Sequence, residues 1–239
     1  MAMSLALCFD APMQSWGTRS RGVIRDTTTE PTKSGVVGLL AAALGISRED
    51  DDAIAELAQL QLAVRVDREG ILERDYHTTQ NVPTTMGTGR RTVVSERYYL
   101  ADALFLVVLQ GDEGLLTRIA SVVDRPHWPL FFGRRAFVPA RPLLPPNGGP
   151  VALAAKDLLE GHPWLETSKS ARNNELVKVE RIGLRTVIDC PAQATNAEVR
   201  HDHPLSLAEG RRRFATRTVL VDQVPLLDSM ITTGDPSCS

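Results

Sequence analysis

Residues 103–109 read ALFLVVL, a continuously apolar stretch with no polar alternation. A run this short, rich in Leu and Val, predicts a central strand buried on both faces of a sheet. Leu5, Leu7 and Phe9 alternate with other residues in a second segment, and residues 62–66 alternate in a third. These two patterns predict half-buried strands. The chain therefore contains at least one sheet in its first half.

Helical patterns separate these strands. In PTKSGVVGLLAAALGI at residues 31–46, Thr32 can cap a short buried helix and Gly45 stands where that helix would end. Residues 113–123 fit an amphipathic helix, and the stretch at 126–144 is predicted to lead into a last strand. The order strand, helix, strand, strand, helix, strand is the split βαβ, or ferredoxin-like, pattern. The fold class is α+β.

A long segment interrupts this pattern between the second and third strands. Residues 74–99 contain two breaks at Pro or Gly, many Thr and few apolar anchors. Long loops inside compact domains are usually functional or disordered. We interpret the segment as an excursion from the sheet.

The chain changes character after residue 145. PPNGGP at residues 145–150 is a loop signal, and short strands are predicted at 176–180, 184–189 and 216–222. The prediction is a domain at 1–145, a smaller β-rich lobe at 146–230 and a flexible tail at 231–239.

The composition excludes some classes of protein. The 239 residues include 27 Lys and Arg against 29 Asp and Glu, so the chain is not a bulk polycation. With 43% apolar residues and no apolar run long enough to cross a bilayer, we expect a cytoplasmic protein. Arg outnumbers Lys by 23 to 4. A GC-rich genome explains this excess as well as phosphate recognition does.

Several short constellations could contact an anion or RNA. Lys33 and Ser34 open the first helix, where free N–H groups can hold a phosphate, although the motif is also an ordinary helix cap. Arg134 and Arg135 follow Gly133, in a position that suits phosphate contact or an exposed turn.

The excursion carries four more candidates. Arg90 and Arg91 lie near its expected tip, far from any predicted core. Tyr76 and His77 lie at its base and could stack on a base, transfer a proton or pack at a strand end.

Metal and nucleotide sites are not expected. His201, Asp202 and His203 are consecutive, and consecutive residues of a strand point to opposite faces. Gly87-Thr88-Gly89 lacks the third glycine and the following helix of a dinucleotide-binding loop. Three widely spaced cysteines without a CxxC pair indicate free thiols. No cofactor is predicted.

Four motifs together resemble the CasD family, the subunit of the type I-E CRISPR Cascade that holds the 5′ end of the CRISPR RNA. They are PMQSWG at 12–17, PTKSG at 31–35, RDYHT at 74–78 and FGRR at 132–135. Their order and spacing match the family across residues 3–144. In the C-terminal part the match is looser, chiefly HPLS at 203–206 and RRRF at 211–214.

This resemblance implies an RNA-recognition-motif-like (RAMP) domain with a long β-hairpin, or thumb, at about residues 75–99. In such proteins the thumb folds over the CRISPR RNA where the repeat-derived 5′ handle meets the spacer, and so keeps one nucleotide from pairing with target DNA. The family pattern implies RNA-binding residues, some of them not evident from local chemistry. The implied set is Gln14, Trp16, Lys33, Ser34, Tyr76, His77, Arg90, Arg91, Arg134 and Arg135. Implied neighbours are the CasC filament and the large subunit CasA.

Two other functions stay open. Relatives in type I-C systems cleave the CRISPR RNA precursor without metal through Tyr, Lys and His, and Lys33, Tyr76 and His77 supply those residue types. In type I-E systems a separate subunit, CasE, cleaves, which favours a non-catalytic RNA binder. The third possibility is a protein-interaction module without RNA contact.

Overall fold

We describe the protein from a computed structural model that covers residues 2–18, 22–85, 87–145, 148–178, 180–181 and 183–232. Ten strands and six helices lie in these described ranges. The strands are β1 Met3–Asp10, β2 Met13–Gln14, β3 Ile24–Arg25, β4 Gln61–Arg68, β5 Ile71–Pro83, β6 Arg90–Ala101, β7 Leu104–Gly111, β8 Leu184–Cys190, β9 Glu198–Ser206 and β10 Arg213–Val224. The helices are α1 Lys33–Leu44, α2 Asp51–Ala58, α3 Glu113–Val122, α4 Ala155–Gly161, α5 Lys169–Leu176 and α6 Asp228–Thr232.

The main sheet has six antiparallel strands in the order β1-β7-β4-β8-β10-β9. Strand β7 therefore lies between β1 and β4, the split arrangement that the order of elements predicted. A second sheet contains β2, β6 and β3, with β5 paired to β6. The α+β class is confirmed.

The central strand predicted at 103–109 is confirmed as β7, and its alternate residues face two different cores. Phe105, Val107 and Leu109 pack in the large core beneath α1, α2 and α3. Leu106 and Val108 pack on the opposite face with residues of α4. Burial on both faces explains why this strand shows no polar alternation.

The last strand predicted from residues 126–144 is wrong. The chain does run beside β1, where Ala140 N–H donates to Asp10 O at 2.8 Å and Cys8 N–H donates to Leu143 O at 2.8 Å. However, residues 126–144 contain no strand, and Val151, which forms an isolated bridge with Ser4, lies after them in the chain. Pro139, Pro142 and Pro145 lack the N–H groups that a regular ladder requires.

The C-terminal strands predicted at 184–189 and 216–222 are confirmed as parts of β8 and β10, whereas the strand predicted at 176–180 is wrong. Leu176 ends helix α5, which Ser168 caps by accepting a hydrogen bond from Ala171 N–H. Strand β9 was not predicted, because His201, Asp202 and His203 give it no apolar alternation.

Strand β8 pairs with β4, so a single sheet crosses the predicted boundary between residues 145 and 146. The two-domain division stays a prediction. Helix α6 buries Met230 and Ile231 and ends at Thr232, while residues 233–239 lie outside the described part. None of the described helices is long and apolar enough to span a membrane.

A buried charge network ties the start of α1 to the C-terminal strands. Asp202 accepts hydrogen bonds from the backbone N–H of Lys33 at 2.7 Å and from Arg217 Nε at 2.7 Å. The Lys33 Nζ donates to Asp189 Oδ2 at 2.7 Å, and Arg217 also contacts Asp189. Burial lowers the pKa of Arg217, but the hydrogen bonds and charges of Asp202 and Asp189 outweigh burial, so its pKa is raised.

We predict that Asp202→Ala lowers the free energy of unfolding by about 3 kcal/mol, because the buried cations of Lys33 and Arg217 would then share the single carboxylate of Asp189 and the Lys33 N–H would lose its acceptor. Urea denaturation followed by circular dichroism measures the change. Asp222→Ala, at an exposed position on the adjacent strand β10, is the control and should change the free energy by less than about 0.5 kcal/mol. Equal losses in the two variants would contradict a special role for Asp202.

Candidate nucleic-acid interface

A groove of about 760 Å³ runs along the half-buried side of α1. Its walls come from six segments: the loop after β2, strand β3, helix α1, the loop between α1 and α2, the segment at 128–134 and the turn that leads from β9 into β10. The hydroxyl and charged lining includes Ser15 and Ser34, four arginines and two glutamates: Arg25, Arg48, Arg134, Arg212, Glu49 and Glu209. Gly17, Gly35 and Gly38 also line the groove, so its floor is backbone in places.

Gln14 and Trp16 support this groove from within the core. Gln14 is 0% exposed, and its Nε2 donates to Ala103 O at 2.8 Å while its Oε1 accepts from Trp16 Nε1 at 3.2 Å. The Trp16 ring is 1% exposed and stacks on Phe9 with centroids 5.7 Å apart. In this structure the two side chains present almost no surface to a ligand, so their burial argues against direct RNA contact, which stays a prediction. Their contacts hold the loop after β2 in place.

The start of α1 also differs from the expected phosphate site. The carboxylate of Asp202 already occupies the position next to the Lys33 N–H, and the Lys33 ammonium group pairs with Asp189. Lys33 is only 6% exposed, so it presents no charge to a ligand in this conformation. Ser34 is half-buried, lines the groove and makes no side-chain hydrogen bond within the described residues.

The Gly133-Arg134-Arg135 turn brings a cation to the groove. Gly133 has φ +86°, and a Cβ there would lie 1.8 Å from Ser15 O. Arg134 Nη2 donates to Tyr98 O at 2.6 Å, and its guanidinium lies 5.3 Å from the centroid of the Phe137 ring. Burial, then the nearby charge of Arg97, lowers the pKa of Arg134. Arg135 is exposed next to it.

The predicted excursion is a two-stranded hairpin formed by β5 and β6. Tyr76 on β5 is 66% exposed, and His77 beside it is also exposed. Because neighbouring strand residues alternate, these two side chains lie on opposite faces of the hairpin. Arg90 and Arg91 are exposed near the hairpin tip, and Arg90 makes one long hydrogen bond to Asn81 O, at 3.4 Å.

Comparisons with known proteins agree with this architecture. The family model described as "CRISPR-associated protein (Cas_Cas5)", or Cas5d, matches residues 4–220. The chain belongs to the Cas5 family.

Three relatives make this membership more specific. The chain is 34% identical over 158 residues to the CRISPR system Cascade subunit CasD of Escherichia coli (strain K12), which covers 60% of this chain and 70% of that protein. A solved structure described as a crystal structure of a Cas protein is similar with a TM-score of 0.73 and 35% identity, over 98% of this chain and 100% of the other. A chain of a CRISPR RNA-guided surveillance complex is similar with a TM-score of 0.75 and 32% identity, over 92% and 90%. The resemblance to CasD is confirmed.

The structure brings some predicted residues of this Cas5 chain together and separates others. Ser34 and Arg134 share the groove, while Tyr76, His77, Arg90 and Arg91 lie along the exposed hairpin. Within the described residues, no group of three His, Cys, Asp or Glu side chains is placed to hold a metal ion, and Asp202 of the His201-Asp202-His203 motif accepts hydrogen bonds from Lys33 N–H and Arg217.

Sequence reasoning missed several basic residues around the groove. Arg25, Arg48 and Arg212 line it, and Arg97 lies close enough to Arg134 to lower the Arg134 pKa. Only Arg212 had a local signal, the RRRF motif. The position of Arg25 depends on parallel pairing between β3 and β6, which local periodicity does not reveal.

We predict that Gly133→Ala destabilises the protein and weakens RNA binding, since the new Cβ would overlap Ser15 O at the wall of the groove. Gly22→Ala is a matched control, because Gly22 has nearly the same φ of +87° but no atom within 4 Å of a Cβ. The left-handed conformation alone costs about 1 to 2 kcal/mol. Thermal unfolding and RNA-binding titrations should show a larger loss for Gly133→Ala. Equal losses of stability and RNA affinity in the two variants would show that the effect comes from backbone conformation alone.

Proposed function

We propose that this Cas5 protein is a non-catalytic subunit of a type I-E CRISPR Cascade surveillance complex, where it binds and caps the 5′ handle of the CRISPR RNA. The observation that carries the proposal is the groove lined by Ser34, Arg25 and Arg134 beside a long exposed hairpin. Membership of the Cas5 family and similarity to CasD support it. The protein would act in the cytoplasm in antiviral defence, with CasC and CasA as neighbours and target DNA contacted through the guide.

The proposal includes a finer description of the fold. Residues 1–145 would form the ferredoxin-like, RNA-recognition-motif-like domain, and residues 146–230 a smaller β-rich lobe. The β5–β6 hairpin would be the thumb that marks the junction between handle and spacer. Nearly all residues of β5 and the first residues of β6 are exposed, which leaves this part of the hairpin available to fold over a strand of RNA.

Single-stranded RNA is recognised through phosphate contacts, stacking on aromatic rings and hydrogen bonds to unpaired bases. The groove supplies guanidinium groups and the hydroxyl of Ser34, and the hairpin supplies the exposed ring of Tyr76. A near-neutral net charge of −2 suits a protein that contacts a short RNA segment on one face.

Lys33, Tyr76 and His77 are the residues that could catalyse RNA cleavage, and their positions favour binding over cleavage. Lys33 is held by Asp189 and largely buried, so its amine does not stand free beside a ribose. Tyr76 and His77 lie on opposite faces of the hairpin. A general base and its partner must reach the same reacting atoms, so this separation supports the non-catalytic proposal.

We predict that the double substitution Arg90→Ala and Arg91→Ala weakens binding of handle RNA. Loss of two phosphate contacts should reduce the slope of log affinity against log salt by about 1.4. Fluorescence anisotropy with labelled handle RNA at several KCl concentrations measures this slope. Arg118→Ala on α3 is the control, since Arg118 is exposed and lies outside both the hairpin and the groove lining. A slope unchanged from that control would contradict thumb contact.

We also predict that the protein leaves repeat RNA intact in the presence of EDTA, because the nuclease candidates are not gathered at one site. Denaturing gels with RNA labelled at its 5′ end provide the measurement. Specific scission at the handle boundary that is lost in His77→Ala would identify a metal-independent endoribonuclease and contradict the proposal.

A further inference from the structure

Three arginines meet where the hairpin joins the groove, and we name Arg25, Arg97 and Arg134 the root cluster. Arg25 on β3 and Arg97 on β6 are direct partners in a parallel strand pair. Directly paired residues of adjacent strands project to the same face of a sheet. Two guanidinium-bearing side chains therefore stand next to each other.

Arg134 reaches the same face from the 128–134 segment. Arg97 and Tyr99 share a face of β6 because they are two residues apart. The Tyr99 ring lies 5.8 Å from the Phe137 ring, and the Arg134 guanidinium lies over that same Phe137 ring. Arg25 and Arg134 both line the groove, so the root cluster opens onto it.

The side-chain hydrogen bonds of the root cluster go to neutral groups. Arg97 Nε donates to Ser95 Oγ at 3.2 Å, and Arg134 Nη2 donates to Tyr98 O. Within the described residues, no carboxylate oxygen lies within 4.0 Å of any of the three guanidinium groups. The buried Arg65 and Arg217, in contrast, both form ion pairs with aspartates.

The acidic neighbours of the root cluster do not neutralise it. Asp75 is opposite Arg97 in the hairpin and Glu73 is opposite Tyr99. The attraction of Asp75 raises the pKa of Arg134, but burial and the charges of Arg97 and Arg25 outweigh it. Like charges that face each other across strands destabilise a fold, so the folded protein keeps an unfavourable arrangement here.

We propose that Arg25, Arg97 and Arg134 bind one phosphate group of the RNA backbone at the point where the strand passes from the groove to the hairpin. A guanidinium presents donors in a planar fork that matches phosphate oxygens. Arg134 is already held by the Tyr98 carbonyl and the Phe137 ring, so little side-chain freedom is lost on binding. Such a contact fixes the register of the RNA without reading its sequence.

This inference rests on the proposed function and is tested with the full-length protein. Two labelled RNAs are titrated at several KCl concentrations: the repeat-derived 5′ handle and an oligouridine of the same length. Arg25→Ala and Arg97→Ala should each bind both RNAs about tenfold more weakly, with a salt slope smaller by up to about 0.7, the contribution of the whole shared phosphate contact. Arg118→Ala is the matched control, and Arg97→Lys should keep the slope but lose affinity because its ammonium lacks the fork.

Thermal unfolding separates this role from a structural one. Removing one of several crowded like charges should leave the midpoint temperature of unfolding unchanged or raise it. An alanine variant with a lower midpoint temperature and an unchanged salt slope for RNA binding would overturn the inference. Variants that bind RNA normally but fail to co-purify with the other Cascade subunits would also overturn it and assign the cluster to an acidic protein partner. If the unsubstituted protein does not bind the handle RNA, the proposed function itself fails. If it binds and the variants match Arg118→Ala, only this inference fails.

Discussion

The buried carboxylates of Asp189 and Asp202 hold together parts of the chain that are far apart in sequence. Asp202 caps the start of α1 from 169 residues away, and Asp189 pairs with Lys33 from 156 residues away. Arg217 bridges the two carboxylates, so no charge in the network stands alone. Because a buried charge without a partner is costly, these ion pairs favour the observed packing of the helix against the strands. One wall of the groove is α1, and its position depends on this network.

A second constraint shapes the opposite wall. The rings of Trp16, Phe9 and Phe132 pack against one another, and Gly133 lets the following turn pass close to Ser15. Aromatic stacking and one residue without a Cβ therefore set where Arg134 projects. The groove is a consequence of core packing: Phe9 and Phe132 belong to the core alone, while Trp16 and Gly133 both shape the groove and line it.

The distribution of charge matters more than the total. With 27 basic and 29 acidic residues, the protein has no large excess of either sign. Many arginines form ion pairs, including the buried Arg65 and Arg217. Within the described residues, the arginines of the root cluster and of the hairpin tip lack such carboxylate contacts. The root cluster lies beside the groove, and the tip belongs to the exposed hairpin. Unpaired cations concentrated there can attract RNA even though the molecule is close to neutral.

Much of the fold was predictable because its signals are local. The apolar run at 103–109, the capped helix at 32–45 and the polar excursion each reflect burial or exposure of neighbouring residues, and they became β7, α1 and the hairpin. The strand that was wrongly predicted from residues 126–144 and the strand that was missed, β9, also have local causes. Prolines at 139, 142 and 145 prevented a regular strand, and β9 lacked apolar alternation.

The sequence by itself determined the class of fold, the order of the first elements, the exposed hairpin and the motifs that mark the Cas5 family. Only the tertiary structure decided which motif side chains can reach a ligand. It buried Gln14 and Trp16, neutralised Lys33 with Asp189, and placed Arg25 beside Arg97 and Arg134. These outcomes depend on contacts between residues far apart along the chain, and local periodicity carries no information about such contacts.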